Sequence, residues 1–396
     1  MDIENALTYG ASQEPTPHPD FMEWRGKARF PLCCFATAVV LIGLSSSAHA
    51  QDSASLPVGS IVNFGPNLQQ VAGGVCRQPE GIALDGYGNL YLASNSDSAT
   101  TVGHVCVLNK GGVLVDIINV PSGPGAAAIG LVGELWEGDH LYVCDQADDV
   151  ATHGRILKIN PSTHEITTLF SGLTFPNGFA EDRYGNFFVT DSLLGAIYKF
   201  TAEPNSDTLW FKDASLISTN PNQPVGANDL AFSADGGYLY VDNAGNRQVL
   251  RIPVGNNGAP GQIELFADGA TLDQQLGLPS PTALTFADGM QFDVKGNLYV
   301  MANLVNEVDV FAPDGSLAHR YSGTGNNALD FNASPIFEGS KLYMTNMSLR
   351  TAESIRRYLS CRHLSRGFTF TNSAARRLVG RALGKVTSAR DKAGCG

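Results

Sequence analysis

The sequence predicts an all-β fold, a six-bladed β-propeller closed by an N-terminal strand, and three observations carry that prediction. Glycine is abundant and basic residues scarce, Gly 43 against Lys+Arg 26 in a chain of 396 residues that is 43% hydrophobic. Such a composition provides tight turns and a full core. One plan of strand, polar turn, aromatic strand, strand, glycine turn and strand recurs six times along the chain, at a period of roughly 40 to 60 residues that marks a repeat architecture. The sixth copy lacks its last strand, and a matching unassigned strand lies near the N-terminus.

Taken in order, residues 1–50 are an N-terminal extension and a signal peptide. The segment RGKARF supplies the positive region, PLCCFATAVVLIGLSSS the apolar stretch, and AHA a small-x-small cleavage site before Gln51. The apolar stretch is short and interrupted for a transmembrane span, which weighs against an uncut anchor helix. Met22 opens a signal peptide of ordinary length, so Met22 is expected to be the true start and the polar first 21 residues an over-extended reading of the gene. The product is expected to be secreted or periplasmic, with no stable membrane span after cleavage.

Residues 51–360 are expected to form the propeller. In the first copy the strands fall at GIALD, NLYLAS, HVCVLN and VLVDIINV; the second strand recurs as LYVCD, FFVTD, LYVDN, LYVMAN and LYMTN. The Asp opening each first turn, Asp85, Asp182, Asp235 and Asp293, is expected to cap its own turn backbone. Copies two to five end in EITTLF, DTLWF, QIELF and LAHRY, while copy six runs out near Leu359. The segment GSIVNF (59–64) resembles GQIELF (261–266) and is expected to complete the last blade, which removes the open edge of the ring. Residues 361–396 form a basic tail outside the ring.

Charge and cysteines narrow the function classes. The net charge is −12, and since the tail is basic, the rest of the chain carries about −19, which argues against a nucleic-acid partner. Five cysteines remain after signal cleavage, Cys76, Cys106, Cys144, Cys361 and Cys395, at spacings that fit no zinc motif. An oxidising compartment permits a disulfide among them, with the pairing left open, and Cys106 and Cys144 also read as small buried hydrophobes. The histidines, His104, His140, His153, His164, His319 and His363, fall at strand edges and turns and are expected at the surface.

One position resists a structural reading. The frames QPEGIALDGYGNLYLAS, FPNGFAEDRYGNFFVTD, GANDLAFSADGGYLYVDN and FADGMQFDVKGNLYVMAN hold Glu80, Asn177, Asn228 and Asp288 just before the first strand. Three of these precede the aromatic strand by ten residues and Asn228 by eleven; Gly130 and Ser334 are read at the equivalent place in copies two and six. The first strand of a blade is innermost, so these side chains should converge at one mouth of the central channel. Two converging carboxylates repel unless protonated or bridged by a cation. With two amides they offer an all-oxygen shell suited to Ca²⁺, with Mg²⁺ or Mn²⁺ as alternatives.

The ordered PEG, PNG, AND and ADGM motifs resemble the regucalcin/gluconolactonase family and more distantly the paraoxonases, over residues 59 to about 359. The resemblance implies a six-bladed propeller lactonase with a divalent metal, usually Ca²⁺, held at Glu80, Asn177, Asn228 and Asp288, and with Asp288 as the catalytic base. The expected function is therefore exported, metal-dependent hydrolysis of a small lactone or ester by a monomer. A cation polarises the carbonyl while a carboxylate acts as base, and no GxSxG motif points elsewhere. Two alternatives are a non-catalytic NHL-type binding propeller and a metal-free strictosidine-synthase-like propeller.

Overall fold

Alternation of apolar residues with a period of two turns each repeat into a sheet. A computed structural model of the chain describes residues 64–68, 70–95, 100–148, 152–322 and 329–347. The signal segment, residues 59–63 of GSIVNF, the segment SIRRYL (354–359), where the sequence repeat predicts the third strand of copy six, and the basic tail lie outside the described residues.

The first copy folds as β1 (Pro79–Leu84), β2 (Leu90–Ser94), β3 (Val102–Leu108) and β4 (Leu114–Pro121), paired antiparallel in chain order. The second is β5 (Leu131–Glu137), β6 (His140–Asp145), β7 (Gly154–Asn160) and β8 (Glu165–Leu173), and the third β9 (Pro176–Glu181), β10 (Phe187–Asp191), β11 (Ala196–Phe200) and β12 (Thr208–Lys212). The fourth comprises β13 (Ala227–Phe232), β14 (Tyr238–Asn243), β15 (Gln248–Pro253) and β16 (Glu264–Asp268), and the fifth β17 (Ala287–Phe292), β18 (Leu298–Ala302), β19 (Glu307–Phe311) and β20 (Leu317–Ser322). The sixth sheet has two described strands, β21 (Asn332–Glu338) and β22 (Lys341–Asn346). The architecture is an all-β propeller with five complete blades among the described residues, rather than the six complete blades read from the sequence.

One element was not foreseen. A short helix, α1 (Gly269–Leu276), joins β16 to β17; Asp268 caps it by accepting from the Thr271 amide at 2.8 Å, and Gly277 ends it at φ 64°. The turn aspartates behave as expected. Asp85 Oδ1 accepts from the amides of Tyr87 and Asn89, and Asp182 and Asp293 repeat the arrangement, all at 2.8–2.9 Å.

The first strands β1, β5, β9, β13, β17 and β21 each touch the next, and β21 returns to β1, so they line the centre. Their approach is close because glycine omits a Cβ. An added Cβ at Gly133 would lie 2.1 Å from the Asn177 carbonyl oxygen, and one at Gly81 2.3 Å from that of Val132. One residue further on, the strands send a side chain into the packing between blades: Ile82, Phe179, Leu230 and Met290 are buried there, and blade two places Glu134 at this level. A disulfide joins Cys76 to Cys106, tying the segment before β1 to β3, while Cys144 is a buried free thiol.

Candidate active site

The pairing register fixes which residue of each inner strand faces the channel mouth. Pro79, Leu131, Pro176, Ala227, Ala287 and Asn332 lie opposite the ends of their second strands, and each is followed by a register shift. The residues at the shift are Glu80, Val132, Asn177, Asn228, Asp288 and Ala333. The four polar residues singled out in the sequence therefore share one structural position, and all four are buried. The occupants read for blades two and six are corrected, from Gly130 to Val132 and from Ser334 to Ala333. Blades two and six close their first hairpin with two residues between Glu137 and His140 and between Glu338 and Lys341. The other turns are longer, so in blades two and six the site residue precedes the aromatic strand by nine residues, whereas Gly130 lies eleven and Ser334 eight residues before it.

Three of the four side chains form a hydrogen-bonded chain. Asn177 Nδ2 donates to Asn228 Oδ1; Asn228 Nδ2 donates to Asp288 Oδ1 at 2.7 Å and to the Ala287 carbonyl at 3.3 Å. The two acceptors around Asn228 Nδ2 fix which way that amide faces. Glu80 shares the register position, and its carbonyl accepts from Thr345 Oγ1 at 2.7 Å, a link from the sixth sheet to the first blade. Thr190 does the same between blades three and four, donating to the Asn228 carbonyl at 2.6 Å. These threonines set the backbone on which the polar side chains sit.

Further polar residues of the site escaped the sequence reading. Asn303, fully buried after β18, donates through Nδ2 to Asp288 Oδ2 at 2.6 Å, and its Oδ1 is buried without a hydrogen-bond partner. Asp229 stands where blades one, two, three and five have glycine, and accepts from the Met290 amide at 2.7 Å; Asp242 of β14 accepts from the Asp229 amide at 2.7 Å. The signal available was the polar ending of the second strands, LYVDN and LYVMAN, which meets the same mouth as the start of the first strands.

Burial dominates the electrostatics. It pushes Asp288 up to about 6 against the lowering hydrogen bonds of Asn228 and Asn303, Asp229 up to about 7, and Asp242 well above the usual carboxylate range. The Asp288 charge raises Asp229, and both raise Asp242; no basic side chain contributes to any of the three shifts. Burial first, then the charges of Glu80 and Asp229, push the Cys144 thiol well up. Hard oxygen donors, uncompensated acids and the orphaned Asn303 oxygen together fit a divalent cation. Such a site would combine two carboxylates with amide oxygens, since among the described residues no three His, Cys, Asp or Glu side chains come together as a metal centre. None of the described histidines is buried; His153 pairs with Asp148 and His164 with Asp116, each at 2.7 Å.

Comparison with known proteins bears out the resemblance drawn from the motifs. Residues 209–348, which include Asn228 and Asp288, match the family described as the SMP-30/gluconolactonase/LRE-like region. Strictosidine synthase-like 3 of Arabidopsis thaliana is 28% identical over 142 residues, 32% of this chain and 34% of that protein. The chain thus spans about a third of the length of the curated relative it matches. Among solved structures, a luciferin-regenerating enzyme is similar at a TM-score of 0.50 and 15% identity over 70% of this chain and 86% of that one. A gluconolactonase of Xanthomonas campestris is similar at 0.49 and 17% over 68% and 83%, and the calcium-binding regucalcin of Agrobacterium tumefaciens at 0.47 and 18% over 67% and 81%. At these identities the likeness is one of fold.

Proposed function

We propose, from a chain whose residues 209–348 carry the SMP-30/gluconolactonase/LRE-like pattern, that the protein is an exported, cation-dependent hydrolase of a small lactone or ester. The observation that carries this reading is the buried chain Asn177–Asn228–Asp288 at matching positions of successive blades, ending in an acid raised to about 6. A carboxylate whose two oxygens are each held by an amide is oriented to accept a proton, the geometric condition for general base catalysis. Glu80, Asn177, Asn228 and Asp288 would hold the cation, for which Ca²⁺ suits the donor set best. When bound, it supplies Lewis-acid polarisation of the substrate carbonyl.

The residues of the chain perform the proton chemistry. Asn228 and Asn303 hold the two oxygens of Asp288, so the carboxylate is oriented before substrate arrives. Asp288 takes a proton from the attacking water as its oxygen bonds to the carbonyl carbon. The same proton passes to the leaving alkoxide as the acyl C–O bond breaks. Apolar Val132 and Ala333 at the remaining two positions add no charge and leave this part of the channel wall non-polar.

The reading includes a ring of six blades closed by GSIVNF, supported by Phe64, whose ring lies 4.9 Å from that of Tyr343 on β22. The Cys76–Cys106 disulfide supports an oxidising compartment, secreted or periplasmic. A monomer acting on a small molecule, without nucleic-acid or membrane partner, completes it. The likeness to strictosidine synthase-like 3 favours a second reading, the same ring working without metal. A panel of sugar lactones, aryl esters and acyl lactones, assayed with Ca²⁺ and after chelation, separates the two. Cation-dependent turnover of any member is expected; turnover indifferent to chelation supports the second reading, and no turnover together with an unshifted melting temperature in EDTA refutes the first.

A further inference from the structure

We propose that Asn303 is a fifth member of the cation site, clamping Asp288 through its nitrogen and offering its oxygen to the cation. The proposal rests on the cation-dependent reading above and assigns a role to a residue outside the four motif positions. Asn303 follows β18, whereas the other four open first strands, so it reaches the site from a different strand of blade five. Its side chain is fully buried, with Nδ2 2.6 Å from Asp288 Oδ2. Asn228 Nδ2 holds the other oxygen at 2.7 Å, so Asp288 is gripped by one amide on each side.

The two ends of the Asn303 amide differ in how they are satisfied. The nitrogen is spent on Asp288, while Oδ1 is buried with no donor in hydrogen-bonding reach. An acceptor left unpaired in the interior costs about 1–3 kcal/mol, and the surroundings here are acidic: the Asp288 charge acts on Asp229, and both act on Asp242. Neutral oxygen beside clustered carboxylates is a donor for a hard cation rather than a base. The other blades place Asn95, Gln146, Ser192, Ala244 and Met347 after the second strand, each with its amide bonded to the carbonyl just before its own first strand. Asn303 keeps that bond, at 3.3 Å, so the backbone role is shared and its side-chain role is separable.

The test compares the full chain with Asn303→Leu and Asn303→Asp by calorimetric titration of the chelated proteins with CaCl₂, and by melting each with calcium and with EDTA. Asn303→Leu removes both amide ends at similar size and is expected to weaken calcium binding by about tenfold or more, the usual effect of losing a group that orients ligands. Asn303→Asp keeps an oxygen but sets a second carboxylate against Asp288. Its chelated form should melt below wild type, and calcium should raise its melting temperature by more than it raises that of wild type. A purely structural role predicts instead equal losses with and without calcium. Wild-type calcium affinity in Asn303→Leu overturns the proposal alone. If that variant fails to fold, Asn303→Asp decides, and an equal calcium shift in it and wild type overturns the proposal. A wild-type chain that binds no calcium overturns the parent reading together with this one.

Discussion

Replacing Glu134 with Met should stabilise the protein, and more so as the pH rises. Glu134 stands at the level where other blades bury Ile82, Phe179, Leu230 and Met290, so Met is a side chain this layer already accommodates. Both carboxyl oxygens are buried and neither makes a full hydrogen bond, although the Ala93 amide lies near enough to favour the charged form. Burial pushes the acid well above its ordinary 4.5, and only the Ala93 amide opposes the rise. Of the neighbouring titratable groups, Tyr91 on β2 feels Glu134 and is itself held to Asp85, while Glu80 sits beside Gly81, whose missing Cβ leaves room for the Glu134 stem. Below about pH 4.5 folded and unfolded chains both keep the proton, and the group is neutral to stability. Above that, the unfolded chain releases the proton while the folded chain holds it, so stability falls as pH rises towards the folded value. At about 1.4 kcal/mol per pH unit, the ceiling at pH 7 is about 3 kcal/mol. Urea denaturation of wild type, Glu134→Met and Glu134→Gln between pH 5 and pH 8 measures it. The advantage of Met over wild type should grow by up to about 3 kcal/mol between pH 5 and pH 7, with Gln growing in parallel because it also cannot ionise. A difference that stays flat with pH refutes the argument, since the other acids are common to all three proteins.

Gly133→Ala should destabilise by about 3 kcal/mol, read by denaturant midpoint, because its Cβ would fall 2.1 Å from the Asn177 carbonyl oxygen. Asn177→Ala should weaken calcium binding by less than Asp288→Asn does in the same calorimetric titration, since it removes a neutral donor that water can replace. Deleting residues 51–64 should abolish cooperative unfolding or cause aggregation, while deleting 362–396 should leave the melt nearly unchanged; the reverse pattern would assign closure of the ring to the tail.

The repeat was legible in the sequence because its parts obey local rules. Asp85, Asp182 and Asp293 each cap the backbone of their own turn, and aromatic second strands show period two. The polar channel position was legible for the same reason in blades one, three, four and five. It failed in blades two and six because their two-residue hairpins shorten the spacing to nine residues and the position there holds apolar Val132 and Ala333, which no polar side chain marks. Asn303, Asp229 and Asp242 were not legible: Asp229 matters through Met290, which only the ring of blades brings near, while Asn303 meets Asp288 and Asp242 meets Asp229 through the pairing of first and second strands within their own blades. Glu134 was hidden by the aligned glycines, since the strand shift that buries it is set by pairing with β6 rather than by its own motif.

The measurement that bears most directly on the account is the paired hydrolysis and calcium titration of Asp288→Asn. The substitution preserves size and one oxygen but removes the charge and the capacity to act as base. The account predicts no detectable hydrolysis of any lactone or ester turned over by wild type, a weaker calcium affinity, and an unchanged far-ultraviolet circular dichroism spectrum. Wild-type turnover with unchanged calcium affinity would contradict it and return Glu80, Asn228 and Asp288 to the lining of a hydrated channel.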